Sequence, residues 1–196
     1  AGKSTIVKRL SEIIGPEKIQ LFSQDHYYKD LSHLTPEKRD EVNVDHPESI
    51  ETELLFDHLR SLSKGETVSR PTYDFTTHTR TSLMVDLEAR PIIIFDGIFS
   101  LCYEEIRSLF TLKLFIDCSD DLRFIRRLQR DQAERGRAAD GVISQYLKTV
   151  RPMYLKYISD SKKHADFIMD WTHYNNQGVE LLASLITSAA GGYGAT

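Results

Sequence analysis

The sequence predicts an α/β domain, a three-layer sandwich with helices over both faces of a parallel sheet. Three observations predict it. Ala1-Gly2-Lys3-Ser4-Thr5 is the back half of a phosphate-binding loop, G-x-x-x-x-G-K-[ST], read straight into a helix. Pro91-Ile92-Ile93-Ile94-Phe95-Asp96-Gly97 is a continuous β-branched run, the pattern of a strand buried on both faces. Further strands and amphipathic helices alternate along the rest of the chain.

The first helix carries Ile6, Val7, Leu10, Ile13 and Ile14 on one stripe. Gly2 lets backbone N–H groups approach phosphate oxygens, Lys3 adds a compact cation, and Ser4 offers Mg²⁺ a hydroxyl. The helix dipole points its positive end at the same anion. A complete loop also has a hydrophobic strand and an earlier glycine before it. The expectation is therefore that the first central strand of the sheet and half of the loop precede Ala1.

Gly15-Pro16 ends the helix, and Lys18 to Ser23 reads as a strand leading to Gln24-Asp25. Asp25 stands where open α/β sheets bind ligands, although alone it reads equally as a turn or cap residue. Residues 29–48 form a long polar excursion with one short helix. Asp45 in it is either a cap or a functional group. A helix is expected from Ser49 to Leu62. Thr67 to Tyr73 and Ser82 to Leu87 then form a β-hairpin standing off the sheet, and Tyr73, Phe75, His78 and Arg80 at its turn suit a planar ring.

Asp96, closing the β-branched strand, matches a carboxylate that holds Mg²⁺ directly or through water. A short helix over Glu104 to Phe110 leads to a strand from Leu112 to Asp117. In the helix Asp120 to Arg135, Arg123, Arg127 and Arg130 share a face. That face is either a solvated stripe or a guanidinium clamp on phosphates, with Gly136 between Arg135 and Arg137 as a hinge. A helix from Asp140 to Tyr157 should kink or end at Pro152. A strand at Ala165 to Met169 and a helix at Gln177 to Ser188 complete a single domain, 1–188, with 189–196 as a flexible tail.

Composition limits the partners. The 196 residues are 40% hydrophobic and 28% charged, with net charge −4. That balance argues against a general nucleic-acid or anionic-membrane binder. There is no apolar run of membrane-spanning length. Cys102 and Cys118 lack metal or redox spacing and suggest reduced thiols and a cytoplasmic protein.

These motifs, taken in order, resemble the uridine kinases (uridine–cytidine kinases), a P-loop kinase family. The markers are Gly2-Lys3-Ser4, Ser23-Gln24-Asp25 with Tyr28, Asp45-His46-Pro47, and Tyr73-Asp74-Phe75 with His78 and Arg80. Asp96-Gly97-Ile98, Arg126-Arg127 with Arg130-Asp131, Glu134-Arg135-Gly136-Arg137, and Gln145-Tyr146 follow. The resemblance implies transfer of the γ-phosphoryl group of ATP or GTP to the 5′-hydroxyl of uridine or cytidine, with Mg²⁺. It implies Asp25 as the base near the metal, and Lys3, Ser4 and Thr5 on phosphates and Mg²⁺ with Asp96. Asp45 would bind the ribose hydroxyls. Tyr28, Tyr73, Phe75 and His78 would surround the nucleoside, with Arg127, Arg137 and Gln145 contacting it. Arg130 and Arg135 would close over the phosphates, in a homo-oligomer that the family often builds as a tetramer.

Three departures stand out: Asp96 where the family usually has Glu, Val44 where an aromatic residue usually precedes Asp-His-Pro, and Asp170-Trp171-Thr172-His173-Tyr174 after the last strand. The alternatives are a phosphoribulokinase-like sugar-phosphate kinase and a nucleotide-binding module without catalysis.

Overall fold

The computed structural model describes residues 2–192. The expected part of Ala1 in the phosphate loop, and residues 193–196 of the expected tail, lie outside the described residues. In chain order the elements are α1 (Lys3–Ile14), β1 (Ile19–Ser23), α2 (Pro36–Glu41), α3 (Thr52–Ser63), β2 (Val68–Asp74), β3 (Thr79–Leu87) and β4 (Ile92–Asp96). There follow α4 (Glu104–Arg107), β5 (Leu114–Asp117), α5 (Asp120–Arg135), α6 (Ala139–Gln145), α7 (Arg151–Met153), α8 (Ser159–Ser161), β6 (Phe167–Asp170) and α9 (Asn176–Gly192).

Strands β1 and β4 pair in parallel, with Ile19 opposite Ile92 and Ser23 opposite Asp96. Strands β5 and β6 form a second parallel pair, Leu114 opposite Phe167. The residues of β4 alternate between two cores, as a strand covered on both faces must. Ile92 and Ile94 pack with Ile6, Leu10 and Ile14 of α1 and Val179 and Leu182 of α9. Ile93 and Phe95 pack with Phe22, Tyr27, Leu55, Leu59 and Phe99 on the other side. Each such aliphatic side chain taken from water contributes roughly 1.5–3 kcal/mol. That burial holds α1 on one layer and α3 on the other.

The parallel strands form two pairs rather than one continuous sheet. Among the described residues no strand bonds β4 to β5, and both line one cavity of about 1330 Å³. The antiparallel hairpin β2–β3 forms a separate small sheet, irregular between Pro71 and Tyr73. No helix among the described residues is long and apolar enough to cross a membrane.

Some element limits differ from expectation for local reasons. Pro47–Ser49 is a 3₁₀ turn, so α3 begins only at Thr52. Strand β3 begins at Thr79, three residues before the expected Ser82. Pro152 does not end its helix: Tyr146–Val150 and Tyr154–Ile158 on either side are π-helical turns with right-handed backbone through α7. The wider turns accommodate a residue that has no N–H to donate. The last helix continues to Gly192, so 189–192 is helical rather than tail.

Candidate active site

The register of β1 against β4 sets the centre of the site. Ser23 lies opposite Asp96, so both strands end at one edge of the sheet. The chain leaves β1 in a single 3₁₀ turn, Gln24–His26, where the Ser23 hydroxyl accepts the Asp25 N–H at 3.3 Å. Ser23 therefore caps the turn, which leaves the Asp25 carboxylate available for chemistry. Gln24 points inward, 1% exposed, and its Oε1 accepts the N–H of buried Phe99 at 3.1 Å.

Helix α1 brings its N-terminus to the same edge. Gly2 has φ +99°, a left-handed conformation that favours glycine. A Cβ there would lie 2.3 Å from Trp171 Cδ1, so the indole packs directly on the loop backbone. Lys3 Nζ lies 3.5 Å from Asp96 Oδ1. Lys3, Ser4, Thr5, Asp96, Arg127 and Arg130 line the same cavity. Asp25 is exposed and is not among the residues lining that cavity, yet desolvation by the protein around it raises its carboxyl above the ordinary range. Lys3 opposes that rise, Asp96 adds to it, and Arg135 and Arg130 oppose it. The three groups thus share one electrostatic environment. Asp25, Asp96 and the Ser4 hydroxyl offer hard oxygen donors, a set suited to Mg²⁺, which keeps several waters and takes few protein ligands.

The aromatic groups expected at the nucleoside assemble in part. Tyr28, Tyr73 and Phe75 form a trio with centroid distances of 5.3 Å (Tyr28–Tyr73), 5.8 Å (Tyr28–Phe75) and 5.2 Å (Tyr73–Phe75). Burial pushes the Tyr28 hydroxyl far up, so it stays protonated. His78 closes the hairpin turn with φ 54°. Arg80 is not a ring-gripping group. Its Nε donates to the Tyr28 carbonyl at 3.2 Å, its Nη2 meets Glu51 at 2.5 Å, and it ties the hairpin to the body.

A second network joins residues about a hundred positions apart. Asp45 Oδ2 accepts from Thr149 Oγ1 at 2.7 Å and from Gln145 Nε2 at 3.4 Å. Gln145 Oε1 accepts from Arg137 Nη1 at 2.7 Å and Arg127 Nη2 at 3.3 Å. Asp45 is thus fixed by long-range partners and does not cap α3, whose N-cap position is Glu51. Burial lowers the Arg127 pKa, against the favourable charges of Asp45 and Asp131.

The arginines of α5 divide. Arg123 pairs with Asp120 and lies over the Tyr154 ring at 3.5 Å, bracing the helix. Arg126 Nη1 donates to the Trp171 carbonyl at 2.9 Å and its Nη2 to that of Thr172 at 3.1 Å. Arg130 Nη2 lies 2.7 Å from Asp131 Oδ1, and Arg135 lies over the Phe75 ring at 5.2 Å. Burial raises the Asp131 carboxyl, but the hydrogen bond and charge of Arg130, with Arg127 and Arg135, outweigh it and hold the group below the ordinary range.

Sequence reasoning missed Thr149, Gln24 and Asp131 as members of the site. Thr149 lies four residues after Gln145, on the same helix face, and that spacing was a usable signal. Nothing local to the sequence announces the burial of Asp131.

The family model for the phosphoribulokinase / uridine kinase family matches residues 1–176. A uridine kinase from Clostridium novyi (strain NT) is 44% identical over 186 residues, 95% of this chain and 89% of that protein. A uridine kinase from Staphylococcus aureus (strain JH9) is 39% identical over 188 residues, 96% of this chain and 91% of that protein. Among solved structures, phosphoribulokinase from Rhodobacter spheroides matches with TM-score 0.65 at 17% identity, over 87% of this chain and 67% of that one. A possible uridine kinase from Bacillus stearothermophilus matches with TM-score 0.55 at 21% identity, over 86% and 82% of the two chains. At these identities the structural matches speak for the fold.

Proposed function

The chain belongs to the phosphoribulokinase / uridine kinase family, and from that membership we propose that it phosphorylates the 5′-hydroxyl of uridine or cytidine with ATP or GTP. The observation that carries the nucleoside reading is the aromatic trio Tyr28, Tyr73 and Phe75 beside the site. A sugar phosphate has no ring to stack, whereas a pyrimidine does.

In this reading Asp25 accepts the proton of the 5′-hydroxyl as its oxygen bonds to the γ-phosphorus. The bond from that phosphorus to the β-phosphate bridging oxygen breaks, leaving a nucleoside monophosphate and diphosphate. Lys3, Gly2 and Thr5 hold the phosphates, and Arg130 and Arg135 spread positive charge over the transferring group. Asp25, Asp96 and Ser4 would hold Mg²⁺, which when bound neutralises charge on the donor phosphates. Asp45 binds the ribose hydroxyls, steadied by Gln145 and Thr149. Arg127 and Arg137, with Gln145, contact the nucleoside, and His78 reaches the base edge. The raised Asp25 carboxyl supports its assignment as a base. We further propose a single catalytic domain that runs to the end of α9, a cytoplasmic protein, and a tetrameric assembly.

A coupled assay of diphosphate release with uridine, cytidine and ribulose 5-phosphate, each with ATP and GTP, tests the reaction. Turnover of a nucleoside is expected. Turnover of ribulose 5-phosphate alone overturns it in favour of the sugar-phosphate reading. Tight nucleotide binding without product favours a non-catalytic module. In Asp25→Asn, kcat should fall by about 10²–10⁴-fold with nucleoside still bound, and a near-normal rate removes Asp25 as the base. Light scattering in solution tests the tetramer.

A further inference from the structure

Among the described residues of α5, Asp131 is the buried one, 0% exposed. Four guanidinium groups converge on its carboxylate. Arg130 approaches Oδ1 through Nη2 at 2.7 Å and Nε at 3.0 Å. Arg135 Nη1 lies 3.8 Å from Oδ1, while Arg137 Nη1 and Arg127 Nε lie 3.5 and 3.7 Å from Oδ2. The backbone repeats the pattern. The Asp131 carbonyl accepts the N–H of Gly136, in the left-handed region, and that of Arg137 at 3.1 Å, which turns Arg137 back toward the side chain.

One negative charge faces four positive ones. Guanidinium groups repel one another, and they gather at a point only where an anion sits. Asp131, with Asp45 acting on Arg127, compensates only part of that charge. Two polar atoms in the cluster are also buried without hydrogen-bond partners, Asp131 Oδ2 and Arg127 Nε. The cluster borders the cavity lined by Gly2, Lys3 and Asp96, to which Arg127 and Arg130 contribute. A carboxylate and a phosphate both accept bidentate, charge-assisted hydrogen bonds from arginine.

We propose that Asp131 is a resident counter-anion, a positioning residue that holds Arg127, Arg130, Arg135 and Arg137 converged without nucleotide and competes with the donor's phosphates for Arg130 and Arg135. The proposal rests on the reading that Arg130 and Arg135 meet the donor. When phosphates enter, Arg130 exchanges a carboxylate oxygen for a phosphate oxygen and Asp131 keeps Arg127 and Arg137 in place. On product release the carboxylate recaptures Arg130, so the polyanion does not stay bound. A static brace makes the opposite prediction, because its loss would disorder the arginines and weaken every anion.

The test is calorimetric titration of the whole protein with inorganic tripolyphosphate, without nucleoside, on wild type, Asp131→Asn and Asp131→Glu. Asp131→Asn should bind tripolyphosphate about three- to tenfold more tightly, with a steeper salt dependence, while its kcat falls. Asp131→Glu, which keeps the charge, should bind within about twofold of wild type. Unchanged or weaker binding by Asp131→Asn overturns the proposal. If that variant does not fold, the wild type decides: the Arg130 Nε–H resonance should shift as tripolyphosphate is added, and an unmoved resonance rejects the exchange. Tripolyphosphate binding needs no nucleoside. Failure of uridine turnover with these binding results intact would therefore count against the reaction, not against Asp131.

Discussion

Gly97→Ala probes how the two carboxylates are spaced. Gly97 directly follows Asp96, and a Cβ there would lie 2.6 Å from both Cβ and Oε1 of Gln24 and 2.9 Å from its Cδ. Gln24 directly precedes Asp25 and is almost fully buried, with its Oε1 committed to the Phe99 N–H. Either Gln24 withdraws and leaves that N–H unpaired, or the ends of β1 and β4 part and Asp25 moves from Asp96. Overpacking a filled site costs about 1–3 kcal/mol, and an unpaired buried donor about 1–3 kcal/mol more. A loss of about 1–3 kcal/mol, or about 2–6 kcal/mol if Gln24 withdraws, lowers Tm by roughly 2–24 °C in a domain of this size, and kcat should fall with it. Gly65→Ala is the control. Its φ is +87° but nothing lies within 4 Å of an added Cβ. It therefore pays only left-handed strain of about 1–2 kcal/mol, and kcat should be unchanged. Circular-dichroism melts and the coupled assay read both variants. The reasoning fails if Gly97→Ala melts and turns over like wild type, or if Gly65→Ala is the more damaging change.

The raised Asp25 carboxyl makes the acid limb of the kcat/KM profile, which reports the free enzyme, fall above the ordinary aspartate range; a limb inside that range contradicts it. The same shift costs stability when the group is ionised, a penalty complete above the folded pKa and gone below the unfolded value of about 3.9. Asp25→Asn should therefore melt higher than wild type at neutral pH, by a margin that shrinks on acidification. His26 is lowered to about 4 by burial and then by Arg70, so the unfolded chain binds its proton first. Stability should drop as pH falls from 6.5 toward 4. His26→Gln should flatten that slope in pH-dependent melts, and an unchanged slope would exclude the ring as its source. Thr149→Val removes the hydroxyl that donates to Asp45, a charge-assisted bond contributing about 1.5–3 kcal/mol. The KM for uridine should rise about tenfold or more with little change for the donor, and Thr149→Ser should restore it; equal losses for both substrates would place Thr149 elsewhere.

Much of the candidate site was legible because its signals are local. Asp96 closes an apolar run and Asp25 follows the end of another by two residues, so both stand at the sheet's edge. Gly2-Lys3-Ser4 announces backbone donors, a cation and a helix terminus within one turn. The aromatic hairpin could be read for the same reason, since its residues are close in sequence before they are close in space. Arg80 was misread because its side chain reaches back to Glu51 and the Tyr28 carbonyl, partners that the hairpin sequence does not contain.

By itself, then, the sequence determined the strands, the helices, the phosphate loop and the identity of the charged groups, because period, turn chemistry and capping act over a few residues. Tertiary structure alone decided that β1 lies beside β4 with Ser23 opposite Asp96, that Thr149 holds Asp45, and that Asp131 is buried among four arginines. An arginine on a helix has several acceptors of similar strength within reach. Which of them it meets depends on which distant segment packing brings beside it and which water that packing removes.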